Sequence, residues 1–233
     1  MPRYIQGVDD PKFIVDAGSG EWCTIKLPTR EAIELKDDLE TWLTSDVVRW
    51  FRPDAVSHLE HYLGNTGNDY NLNMPDLMKK SELLKKNYND ELTLAKRYCE
   101  TLDAGHHYIT SSEFSSSDFA DENNSNLFYA IGGYQYWGKG SVEITVIGEG
   151  KKMHSSTISN NLNRPRHRYD LNFSFTLFDR YNWNIEKKNA GVVIGGFWSI
   201  SDISMGQLHK ECLAREYNIW GVLEQRVIWE DNE

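Results

Sequence analysis

Tyr169-Asp170-Leu171-Asn172-Phe173-Ser174-Phe175-Thr176-Leu177-Phe178 is the stretch whose reading decides the fold. Tyr169, Leu171, Phe173, Phe175 and Leu177 take every second position, with Asp170, Asn172, Ser174 and Thr176 between them. Successive side chains of a strand point to opposite faces, so the spacing predicts a strand with one apolar and one polar face. Phe178 breaks the alternation, and Asp179 follows at once.

Working upstream, the aromatic-rich stretch from Phe128 to Trp137 reads as a strand and Gly138-Lys139-Gly140 as a turn. Val142, Ile144 and Val146 alternate with Glu143 and Thr145, and Gly148-Glu149-Gly150 reads as a second turn, so a hairpin is expected. The polar stretch from Ser115 to Asn126 reads as a loop. Downstream, Val192 to Trp198 is a short strand broken by Gly195-Gly196. Asp202 caps a helix expected to run to about Tyr217, and Trp220 to Trp229 returns as a final strand.

Before about Gly105 the apolar period is helical. Thr29 caps a helix carrying Ile33, Leu35, Leu39, Trp42 and Leu43. A second helix begins near Ser45 or Asp46, Pro53 starts a new turn, and Gly64 stops the helical run after it. Pro75 opens another helix, and a last one carries Leu92, Ala95, Tyr98, Cys99 and Leu102. The expected class is α+β. A helical region over 1–105 precedes a β-rich region over 106–233, an antiparallel, partly barrel-like sheet carrying one helix, and the two regions can form one compact unit.

Composition bounds the function. The 233 residues carry 25 basic and 35 acidic groups, a net charge of -10, and lack the clustered positive field that nucleic-acid binding needs. The basic group Arg164, Arg166, His167 and Arg168 reads as a solvated loop or an anion contact. No apolar run reaches the roughly 18 residues of a spanning helix, and the first 30 residues do not read as a secretory signal. Three cysteines, Cys23, Cys99 and Cys212, are widely spaced and suggest neither a disulfide framework nor a zinc site. Synthesis in a reducing compartment is expected, with later delivery to an oxidising one left open.

Polar chemistry concentrates at Asp179-Arg180-Tyr181-Asn182-Trp183-Asn184, where the best strand ends. On the expected downstream helix Met205, His209, Cys212 and Glu216 share one face, so His209 beside Glu216 suits proton transfer, and Arg215, one step off, suits an anion. His58 and His61 lie three apart on another helix without further metal-ligand spacing. Gly132-Gly133 and Gly195-Gly196 fit no nucleotide fingerprint.

The segment from Asp179 to Gly221, with D-R-Y-N-W-N and then D-I-S-M-G-Q-L-H-K-E-C-L-A-R-E-Y, resembles C-terminal toxin domains of bacterial polymorphic and type VI secreted antibacterial effectors. Leu127-Phe128-Tyr129-Ala130-Ile131-Gly132-Gly133-Tyr134 is similar to a strand of the same group. The layout also resembles, at a distance, the activity domain of colicin M-like bacteriocins, which cleave the lipid II precursor of peptidoglycan. Those carry D-x-Y-D followed by H-R. Asp179 and Tyr181 match, Asn182 replaces the second Asp, and Lys188-Asn189 stand at the H-R positions.

The resemblance implies a bacteriocin-like hydrolase of a lipid-linked peptidoglycan precursor, acting on the cell envelope. Asp179, Tyr181, His209 and Glu216 would be its catalytic residues, and Arg215, Asn182 and Trp183 would bind substrate. Cleavage of a pyrophosphate-linked lipid calls for a base, an anion clamp and a divalent cation such as Mg or Ca, with Asp179 and Glu216 as candidate holders. Implied partners are a cognate immunity protein, a secretion-machinery component and the lipid-linked substrate, with no nucleic acid. The implied location is synthesis in the bacterial cytoplasm without a signal peptide, then action in the target periplasm. Two alternatives stay open: a non-enzymatic membrane-permeabilising toxin, and a carbohydrate- or lipid-binding module using an aromatic sheet.

Overall fold

The computed structural model describes residues 3–149, 165–184, 191–194 and 198–231. The N-terminal half is helical: α1 (Arg30–Leu43), α2 (Asp46–Phe51), α3 (Pro53–Leu63), α4 (Met74–Lys80) and α5 (Glu82–Cys99). Thr29 caps α1, its side chain accepting the Ala32 N–H, and Ser81 caps α5 by accepting the Leu84 N–H.

The sheet holds β1 (Tyr4–Gln6), β2 (Tyr70–Asn71), β3 (Gly105–Ser111), β4 (Ser115–Asp118), β5 (Gly133–Glu149), β6 (Pro165–Tyr181) and β9 (Tyr217–Glu230). Its order is β1-β3-β5-β6-β9-β2, with β4 also on β5. β7 (Gly191–Ile194) and β8 (Trp198–Ser201) pair separately, and α7 (Asp202–Lys210) follows. The class is α+β with helices first and the sheet after. The sheet is not barrel-like. It stays open because its outermost strands are three and two residues long and lie at opposite edges. It is also mixed, since β2 joins β9 in parallel.

The decisive strand behaves as its alternation requires. Tyr169, Leu171, Phe173, Phe175 and Leu177 are buried, and Tyr88 of α5 packs edge-on to Phe175. Each large side chain removed from water contributes about 1.5–3 kcal/mol. Phe178 points to the opposite face and is buried as well, because Phe13, Trp137 and Trp220 cover that face locally.

Several local expectations fail for identifiable reasons. Phe128 lies in α6 (Ser125–Ala130), whose cap is the Asn124 side chain accepting the Leu127 N–H; the strand starts only at Gly133. The polar stretch before it holds β4 and a short 3-10 helix, Phe119–Glu122. Gly138 and Gly140 lie inside β5, not in a turn. A side chain at 138 would meet the Tyr4 hydroxyl and the Phe173 ring, and one at 140 the Asn172 carbonyl. Gly148 sits at an irregularity of the ladder, with Gly150 outside the described residues. The gap between β7 and β8 contains Gly195-Gly196, also outside them. Arg166, His167 and Arg168 belong to β6 rather than a loop, with Arg166 3.1 Å from Glu230 and His167 3.0 Å from Asp231; Arg164 is not among the described residues.

Two corrections bear on the site. α7 ends at Lys210, and Cys212 has φ 65, so the chain reverses there and Tyr217 already starts β9. His209 and Glu216 therefore do not share a helix face. Cys23 and Cys212, with Cα atoms 4.3 Å apart, form a disulfide across a sequence separation of 189. Sequence spacing carried no sign of this pair; only Cys99 is free among the cysteines, and it is buried.

Candidate functional site

A cavity of about 440 Å³ opens where β6 ends. Asp179, Arg180, Tyr181, Asn182 and Trp183 form one wall, and Phe128 to Gly133, from α6 into β5, form another. Trp42 of α1, Arg52, Ala55 and Leu59 around α3, Met205 of α7 and Asp16 complete the lining.

Strand parity aims these groups. Asp179 and Tyr181 continue the buried series of Leu177, so both turn toward the helices. Tyr181 stacks on Tyr217, with ring centroids 5.1 Å apart, and meets Trp183 edge-on at 5.7 Å. Burial pushes its phenol well up. Burial also holds the Asp179 carboxyl well above the usual carboxylate range; the Arg180 backbone N–H opposes this, and the charges of Asp16 and Asp118 add to it. Burial of this kind favours the protonated form of a carboxyl over the ionised one. The Arg52 guanidinium lies over the Tyr129 ring at 4.5 Å. Nδ2 of Asn182 and Nε1 of Trp183 are buried donors without an acceptor among the described residues.

The structure brings Asp179, Tyr181, Asn182 and Trp183 to one cavity, and His209, Glu216 and Arg215 are not in its lining. Glu216 stands behind the wall. Its Oε1 accepts the backbone N–H of Ser19 at 2.9 Å and of Trp183 at 3.0 Å, and its Oε2 lies 3.6 Å from Arg180. His209 is buried with both ring nitrogens engaged by backbone. Nδ1 accepts the Glu216 N–H at 3.1 Å, which leaves Nε2 as the donor to the Gly20 carbonyl at 3.1 Å. Burial lowers its pKa against the opposing charge of Glu216. Arg215 extends elsewhere, donating to the Thr66 carbonyl and lying over the Trp22 ring at 4.5 Å.

A divalent cation does not fit these residues. Among the described residues no three His, Cys, Asp or Glu side chains come together to hold a metal. Glu216 commits Oε1 to two backbone groups, and the cavity beside Asp179 is lined by the cations Arg52 and Arg180 as well as by aromatics. His58 and His61 are no metal pair either: His58 Nδ1 lies 3.0 Å from the Tyr217 hydroxyl, and His61 Nε2 lies 2.7 Å from the Asn68 carbonyl. No described helix is long and apolar enough to cross a membrane.

Sequence reasoning missed Asp16, Arg52 and Trp42 as cavity residues. Asp16 lies in an N-terminal stretch without periodicity, and Trp42 reads from its spacing as ordinary helix packing. The aromatic Gly-Gly stretch before Tyr134 was the one available signal for the second wall. No protein-family model, curated protein or solved structure matches this chain.

Proposed function

We propose that this chain is an antibacterial effector toxin acting on the cell envelope, and that the cavity at the end of β6 binds and hydrolyses a lipid-linked phosphoester. One observation carries the reading. Phe128 to Gly133 and Asp179 to Trp183 are distant in sequence, carry the toxin-like motifs, and line the same cavity. A carboxyl whose pKa burial raises, as at Asp179, suits protonation of a leaving oxygen. Arg52 and Arg180 bring positive charge to the same walls, which suits a phosphate. Trp42, Phe128, Tyr129 and Trp183 offer apolar surface to a prenyl chain or sugar face. The Cys23–Cys212 disulfide suits work in an oxidising compartment such as the periplasm.

The test is growth of a sensitive bacterium producing the chain in either compartment. Periplasmic delivery should arrest growth and cytoplasmic production should not, and Asp179→Asn should be harmless in both while remaining folded. Killing of equal strength from the cytoplasm would refute an envelope target. The aromatic walls also favour a second reading, a lipid- or sugar-binding module. In that case Asp179→Asn would keep its effect in the periplasm, since binding needs no proton donor.

A further inference from the structure

Residues 9–26 cross the outer face of the sheet as a strap held at both ends. At the first end Trp137 Nε1 donates to Asp10 at 2.8 Å, Phe13 stacks on Trp137, and the Gln135 amide engages both backbone groups of Ile14 at 2.8 and 2.6 Å. At the second, the Ser19 N–H reaches Glu216 and the Cys23 N–H donates to the His209 carbonyl at 3.1 Å, while the Cys23 sulfur bonds covalently to Cys212. Asp16 lies between these anchors. Its Oδ1 accepts the Gly18 N–H at 2.9 Å, closing a tight turn in which Gly18 has φ 56, and the residue lines the cavity.

We propose that Asp16 is a further residue of this site, a second carboxyl lining the cavity with Asp179, and that the Cys23–Cys212 bond is what keeps it there. The proposal rests on the cavity being the functional site. Residues 14–17 are exposed, so solvent competes for the Ile14 hydrogen bonds with Gln135, and on the other side buried Ser19 holds the strap through the Glu216 carboxyl group and the Trp183 carbonyl. The covalent tie fixes its second end outright. Forming the bond removes two protons and two electrons from the two thiols, which a disulfide donor of an oxidising compartment takes up by thiol–disulfide exchange. A dithiol returns both and itself becomes a disulfide. The site is thereby incomplete in a reducing cytoplasm and completed after export.

The experiment is a carbon-13 NMR titration of the aspartate side chains in the full chain, with the Asp179 signal assigned by its loss in Asp179→Asn. Asp118, Arg52 and Arg180 also bear on Asp179 or line its cavity, and they stay constant throughout. In the oxidised protein, Asp16→Asn should shift the Asp179 midpoint downward. In Cys23→Ser, Cys212→Ser protein, or after dithiothreitol, the same substitution should leave that midpoint where it was, and amide exchange should accelerate over residues 14–26. No shift in the oxidised protein would remove Asp16 from the site. An equal shift without the disulfide would show that the bond does not hold the strap. Global unfolding on reduction would also overturn the proposal, because the bond would then support the whole fold. If the coupling appears but the exported protein is harmless, the effector reading fails and the strap proposal stands.

Discussion

Glu216 Oε1 accepts the backbone N–H of Trp183 at 3.0 Å, so a buried carboxylate beside β9 fixes the residue at the far end of the cavity wall. The same oxygen takes the Ser19 N–H, which ties the strap to that wall. Glu216 thus organises the site from behind. Glu216→Ala should leave the Ser19 and Trp183 N–H groups without their acceptor and Arg180 without its ion-pair partner, costing about 2–4 kcal/mol in urea unfolding. Glu216→Gln keeps an acceptor oxygen and should recover most of the loss. An alanine variant within about 0.5 kcal/mol of wild type would contradict this role.

Asp179 makes a pH-dependent difference of definite sign. Its folded pKa is raised above the unfolded value, so its share of stability is complete below about pH 4 and is lost as pH rises toward the folded value. Asparagine does not titrate. The stability of Asp179→Asn minus that of wild type should therefore grow as pH rises above about 4, until the folded value is passed. A difference independent of pH, measured by urea unfolding at each pH, would show that the carboxyl ionises freely in the folded protein.

His58 titrates in the opposite sense. Burial lowers its pKa from 6.5 to about 4, with the charge of Asp54 opposing and that of His61 assisting. Stability from the neutral ring is present above pH 6.5 and is lost as pH falls through the folded value, to a limit of about 3 kcal/mol. His209 is shifted the same way, so the informative quantity is wild type minus His58→Gln. That difference should fall steadily between pH 6.5 and 4. A level difference would mean the imidazole is not buried as described.

Gly138 is a test of packing across the sheet. An added methyl would meet the Tyr4 hydroxyl, which donates to buried Glu91 at 2.9 Å, and the ring of Phe173. Gly138→Ala should destabilise by about 1–3 kcal/mol through overpacking. A stable variant would show that Tyr4 and Phe173 can withdraw, and the glycine would then have another cause.

The helices of the first half and the long strand β6 were legible because each follows from a local rule. Thr29 marks a helix start by accepting a backbone N–H within the first turn and Pro53 by its place at the first helical position, and the alternation from Tyr169 to Leu177 reports a face buried along its length. The same parity, carried on past Phe178, puts Asp179 and Tyr181 on the buried side, so half of one cavity wall was present in the sequence. The remainder was not, because it depends on contacts between distant segments. Gly138 and Gly140 look like a turn until Tyr4 and Phe173 are seen to fill the space that a side chain would need. His209 and Glu216 look like helix neighbours until the chain reverses at Cys212 and their meeting becomes a backbone hydrogen bond. Cys23 and Cys212, like Asp16 and Asp179, are brought together by a strap whose course is set by Phe13, Gln135 and Glu216. Local sequence decides where backbone groups find partners within a few residues; which distant side chains share a cavity depends on how the strap and helices bury against the sheet.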